Sequence, residues 1–125
     1  MAPAAITRQI LQQKLIAWAS GILPVTELHK WVMDLQLDGP CEFEDWETKD
    51  GASFSVSKEV VAEMEMIDLN FIIPEDIPIF TEFLDTPTGA FEAAYVHFIE
   101  RLQAIDTTKR MKMLKHTEPY ARHCV

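Results

Sequence analysis

Thr86-Pro-Thr-Gly-Ala-Phe-Glu-Ala-Ala-Tyr-Val-His-Phe-Ile-Glu-Arg-Leu102 is the stretch that decides the fold class. Phe91, Tyr95, Phe98, Ile99 and Leu102 recur at steps of three and four, the spacing that lines one face of an α-helix. Thr86 and Pro87 read as an N-cap followed by a first-turn proline, whose missing N–H is one that a helix start leaves unpaired anyway. The pattern predicts a long helix with a buried aromatic face.

The same period recurs on both sides. Ile77, Phe80, Phe83 and Leu84 predict a short helix whose start is bracketed by Pro74 and Pro78. Ser55 or Ser57 can cap a helix running to about residue 70, with Val60, Met64 and Ile67 on its apolar face and Val61 and Met66 widening it. Thr26 can cap Glu27 to Leu37, where Leu28, Trp31, Val32 and Leu35 form the stripe and Asp38-Gly39-Pro40 the stop. Ile6, Ile10, Leu11, Leu15 and Trp18 predict a first helix over about 5–20. Downstream, Asp106 caps a last short helix carrying Lys109, Arg110, Met111, Lys112 and Leu114. The tail from His116 to Val125 contains Pro119 and reads as irregular. Residues 41–54 lack a helical period, and Asp50-Gly51 is a turn signal, so they read as a loop or small hairpin. The expected fold is mainly α: one domain over 1–125, a compact bundle of five to six helices.

With 125 residues, 48% of them hydrophobic, the chain can bury a core without staples. No apolar run approaches the ~20 residues of a membrane span. The opening residues are amphipathic rather than signal-like, so a cytoplasmic location is expected. Cys41 and Cys124 then fit as free thiols, and a disulfide between them requires the tail to fold back.

The net charge of −9 is unevenly spread. Residues 27–100 hold 18 acids against three bases, while 1–26 and 101–125 are net basic. So acidic a middle section repels a phosphate backbone and attracts a basic protein surface. No direct nucleic-acid partner and no membrane partner are expected.

Motifs for catalysis are sparse. The four glycines are scattered and form no phosphate-cradling loop. His29 and His97 lie on separate helices. His116, His123 and Cys124 gather near the tail in a spacing that matches no standard zinc site. His97-x-x-Glu100 reverses the order of di-metal bundles, and Glu63, Glu65 and Asp68 read as salt-linked surface positions. No metal or cofactor is expected. A small helical enzyme or metal-dependent protein using His97 or the tail histidines remains an alternative, as does an adaptor that self-associates through its basic tail.

One constellation stands above this background. Glu42-Phe43-Glu44-Asp45-Trp46-Glu47 interleaves two aromatics with four carboxylates, and Asp50 adds a fifth acid. Aromatic anchors ringed by polar contacts are the usual form of a binding hot spot, and carboxylates pair bidentately with arginine. Phe43 and Trp46 can equally pin the segment to the protein's own core, with the acids left facing water. Glu75 and Asp76 add acidic positions at the approach to the fourth helix.

On the Glu42–Asp50 run, and on Pro74-Glu-Asp-Ile-Pro78 through Phe83-Leu-Asp-Thr-Pro87, the chain resembles the small acidic immunity proteins of bacterial toxin–immunity pairs, including those of contact-dependent growth inhibition. The resemblance implies a cognate protein toxin as partner, often a nuclease with a basic substrate-binding surface. Glu42, Glu44, Asp45 and Glu47 would then supply charge, with Asp50, Glu75 and Asp76 extending it, and Phe43 and Trp46 would supply contact.

Overall fold

Thr7 sets where the first helix begins. Its side chain accepts a hydrogen bond from the Ile10 N–H at 3.1 Å, so α1 runs Arg8–Ala19 rather than from residue 5. The two residues before it, Ala5–Ile6, form a short strand, β1. It pairs in parallel with β2, Glu42–Phe43, far along the chain. This pairing has no local sequence signature, which is why the spacing alone extended the helix too far.

The computed structural model describes residues 5–37 and 41–124. It is mainly helical, with two small two-stranded sheets. After α1 comes α2, Val25–Leu37, which starts on Pro24: the Pro24 carbonyl accepts from Glu27 and Leu28, so Thr26 lies inside the first turn and is not the cap. The Asp38-Gly39-Pro40 stop lies outside the described residues.

Residues 46–55 form an antiparallel hairpin, β3 (Trp46–Lys49) and β4 (Ala52–Ser55), with Lys49 opposite Ala52. Asp50 and Gly51 make the two-residue turn at φ +53° and +81°. Positive φ at both positions is the turn geometry that matches the twist of the flanking strands, and it selects Asp-Gly.

Ser55 caps α3, Val56–Met64, by accepting from the Lys58 N–H. The helix stops well short of residue 70. The Glu65 carbonyl is engaged by the His29 ring at 3.1 Å, and tightened turns follow, with Phe71 at φ +54°. These turns bury Ile67, Asp68, Phe71 and Ile72, which a continued helix would spread around its circumference.

A 3₁₀ turn at Pro74–Asp76 leads into α4, Ile77–Leu84. α5 spans Phe91–Gln103, and α6 spans Thr107–Met113 with Asp106 as its cap. α5 begins later than Thr86-Pro87 predicts. Thr86 is buried and its hydroxyl donates to the Phe83 carbonyl at 2.6 Å, so it closes α4 instead of opening α5. Gly89, at φ +90°, turns the chain between them.

α4 is the central element, packed against α1, α3 and α5. Phe83 stacks on Phe98 at 4.3 Å, and Phe80 meets Phe98 edge-on at 5.5 Å. Leu11, Leu15, Leu28, Val60 and Met64 complete the fully buried centre. Each such side chain contributes about 1.5–3 kcal/mol of hydrophobic stabilisation.

The tail from His116 is irregular, as expected, a run of turns and a bend, but it packs against the body of the protein. Tyr120 is buried on Phe71 and donates its hydroxyl to the Ile72 carbonyl, and a short 3₁₀ turn follows at Ala121–His123. The two cysteines are free thiols although the tail folds back. No helix among the described residues is long and apolar enough to cross a membrane.

Candidate functional site

Alternation along β3 gives the hairpin two faces. Glu47 and its cross-strand partner Phe54 point one way. Phe54 stacks on Phe91 at 4.5 Å, and Glu47 Oε1 accepts from the Gly89 N–H at 2.8 Å. These contacts dock the hairpin on the start of α5. Trp46 and Thr48 occupy the other face, and Trp46 is 48% exposed.

The two aromatics of the acidic run therefore divide. Phe43 is half-buried against the core. Trp46 stands outside it, edge-on to Phe43 at 6.4 Å, with the Lys58 ammonium 5.8 Å from its ring centre. Glu42, Glu44 and Asp50 are exposed.

Asp45 corrects the expectation that all these acids face a partner. Its side chain is 16% exposed, and it accepts from Arg8 Nε at 2.9 Å, Ser55 Oγ at 2.5 Å and the Ser57 N–H at 3.0 Å. Burial alone pushes its carboxyl up, but the hydrogen bonds from Ser55, Ser57 and Arg8 outweigh burial and hold it below the ordinary aspartate value. Arg8 also donates to the Leu84 and Thr86 carbonyls. One ion pair thus joins the start of α1, the start of α3, the end of α4 and the root of the hairpin.

Asp76 is likewise internal. It is 4% exposed, accepts from the Ile73 N–H and holds Arg110 bidentately at 2.5 and 2.9 Å. Glu75 is exposed beside it and faces a cavity shared with Asp106, Lys109 and Arg110. These two acids sit at the N-terminal end of α4, whereas Arg8 and Asp45 gather at its C-terminal end. Eight helical residues separate the two groups by about 12 Å. The structure lines one cleft with Glu44, Trp46 and Glu47, puts Glu42 on β2 and Asp50 at the tip of the hairpin, and leaves Glu75 and Asp76 at the other end of α4.

Two hollows flank Glu47. A cleft of about 470 Å³ runs between Trp46 and the Thr86-Pro87-Thr88 turn, with Arg8 and Asp45 in its wall and Glu44 and Glu47 beside them. A second, of about 340 Å³, lies between the hairpin and the start of α5. Sequence reasoning did not place Arg8 or Lys58 at the site and read Thr86-Pro87 as a helix start, because only the fold brings them beside the hairpin.

A different polar cluster surrounds Asp68, which is 5% exposed. Its carboxylate meets His123 Nε2 at 2.8 Å, Arg122 Nη2 at 2.9 Å and His29 Nε2 at 3.4 Å. Burial raises its pKa, but the contacts with His123, Arg122 and His29 and the Leu69 N–H outweigh it and leave the value lowered. The cluster fastens the tail to α2 and to the turns after α3. Among the described residues, no group of three histidine, cysteine, aspartate or glutamate side chains is arranged to hold a metal. His97 pairs across helices with Glu82 at 3.5 Å, beside the Glu82–Arg101 ion pair.

No protein-family model, curated protein or solved structure matches this chain. Its function is therefore argued from the geometry above.

Proposed function

We propose that this chain is an immunity-type inhibitor, acting in the cytoplasm, that binds a cognate bacterial toxin through the hairpin face. The observation that carries this reading is Trp46, a large aromatic 48% exposed, with the exposed Glu44 on the same cleft. An exposed aromatic anchor on an acidic section of the chain suits a partner surface that is basic, such as the substrate-binding face of a nuclease. The resemblance to small acidic immunity proteins points the same way. The hairpin is held rigidly by the Arg8–Asp45 pair and by Phe54 on Phe91, so little order has to be gained on binding.

The reading is tested by co-expressing the chain with the product of the neighbouring reading frame and purifying any complex. Its association rate should fall at least several-fold as salt screens charges beyond ~8 Å. A complex whose association rate ignores salt would remove the acidic face from the mechanism.

A further inference from the structure

The cleft beside Trp46 says which basic side chain the partner presents. We infer that it accepts an arginine: a guanidinium laid on the Trp46 ring and paired with the Glu44 carboxylate. This inference rests on the proposed binding function and narrows its chemistry.

Three observations carry it. First, the inner wall already holds a guanidinium. Arg8 donates there to Asp45 Oδ2 at 2.9 Å, to the Leu84 carbonyl at 3.0 Å and to the Thr86 carbonyl at 2.5 Å. Those acceptors are spent on Arg8, whose charge Asp45 neutralises, so Arg8 does not oppose a second cation. Second, Glu44 is exposed and lines the same cleft, so its carboxylate is open to an incoming donor fork. Third, a cation already rests by the Trp46 ring. Lys58 lies 5.8 Å from its centre and forms no part of the cleft wall, so the ring attracts a cation without the cleft being filled.

Arginine fits this arrangement better than lysine. Its guanidinium is planar, weakly hydrated and able to stack on an aromatic face while donating two parallel hydrogen bonds. An ammonium is a strongly hydrated point charge and gains less from the flat Trp46 ring.

The test uses the full-length chain and two capped peptides, hexa-arginine and hexa-lysine, titrated calorimetrically at low salt. Hexa-arginine should bind about fivefold more tightly, the gain expected of one exposed stacking contact. The preference should shrink to within about twofold in Trp46→Ala and in Glu44→Gln. It should persist in Glu27→Gln, an exposed α2 position with the same change of charge. Circular dichroism checks that each variant is folded, and if Trp46→Ala is not, Glu44→Gln decides. Equal binding of the two peptides overturns the arginine cleft and leaves the basic-partner reading standing. A preference that survives in folded Trp46→Ala and Glu44→Gln also overturns it. Binding of neither peptide removes both readings.

Discussion

Arg8 and Asp45 are 37 positions apart and meet through a 2.9 Å charge-assisted hydrogen bond that ties three helices to the hairpin. The pair is the point at which fold and candidate site become one structure. Asp45→Ala would strand the Arg8 guanidinium, the Ser55 hydroxyl and the Ser57 N–H together. We expect a loss of about 2–4 kcal/mol, read by urea denaturation. Arg8→Lys should recover little, because an ammonium cannot reproduce the fork that spans Asp45 and two carbonyls.

The binding face should separate from this scaffold. Glu44→Lys combined with Trp46→Ala changes exposed positions, so its stability should stay within about 1 kcal/mol of the parent. Its affinity for the toxin should fall by tenfold or more. Unchanged affinity would move the binding surface elsewhere on the molecule.

Acid should loosen the fold through two carboxylates. Asp45 and Asp68 both have lowered pKa values in the folded chain. Their contribution is complete above the ordinary aspartate value and is lost as pH falls through the lower folded values. A melting series from pH 7 down to pH 2 should therefore drop steeply below about pH 4. The drop should be shallower in Asp68→Asn, which is already destabilised at neutral pH.

Glu63 predicts the opposite sign. Burial, followed by the nearby Glu59 charge, raises its pKa, so the folded state disfavours its ionised form. That penalty is present above the folded value and disappears as pH falls below the unfolded one. Glu63→Gln should raise the melting temperature at pH 7 and leave it unchanged near pH 3.

The tail should prove structural. Removal of residues 120–125 strips Tyr120 from Phe71 and Ile72 and takes Arg122 and His123 from Asp68. We expect a loss of at least about 3 kcal/mol. The single change Tyr120→Phe should cost about 1 kcal/mol, the worth of its hydrogen bond. A truncated chain as stable as the parent would contradict the packing described.

The helices were legible because burial on one face writes a period into the sequence: Phe80, Phe83 and Leu84, or Leu28 and Val32, are buried as their spacing requires. Asp50-Gly51 was legible because only a few residue pairs tolerate that turn. What escaped was long-range. Ile6 reads as a helical residue until Phe43 arrives beside it as a strand partner. Thr86 reads as a cap until its hydroxyl turns back to Phe83 and Arg8 takes its carbonyl. Asp45 and Asp76 look like surface acids, and only the fold brings Arg8 and Arg110 to them. The acidic run was therefore found as a segment, but sequence could not separate its contact residues from its structural ones.

The four arginines share a further property: each is held by an acid of its own chain, Arg8 by Asp45, Arg101 by Glu82, Arg110 by Asp76 and Arg122 by Asp68. The exposed cations left over are lysines. A neighbouring copy would have to break an internal ion pair before offering a guanidinium to the Trp46 cleft. For Arg122, 63% exposed, that exchange costs little, whereas Arg110, 14% exposed, is held inside the fold.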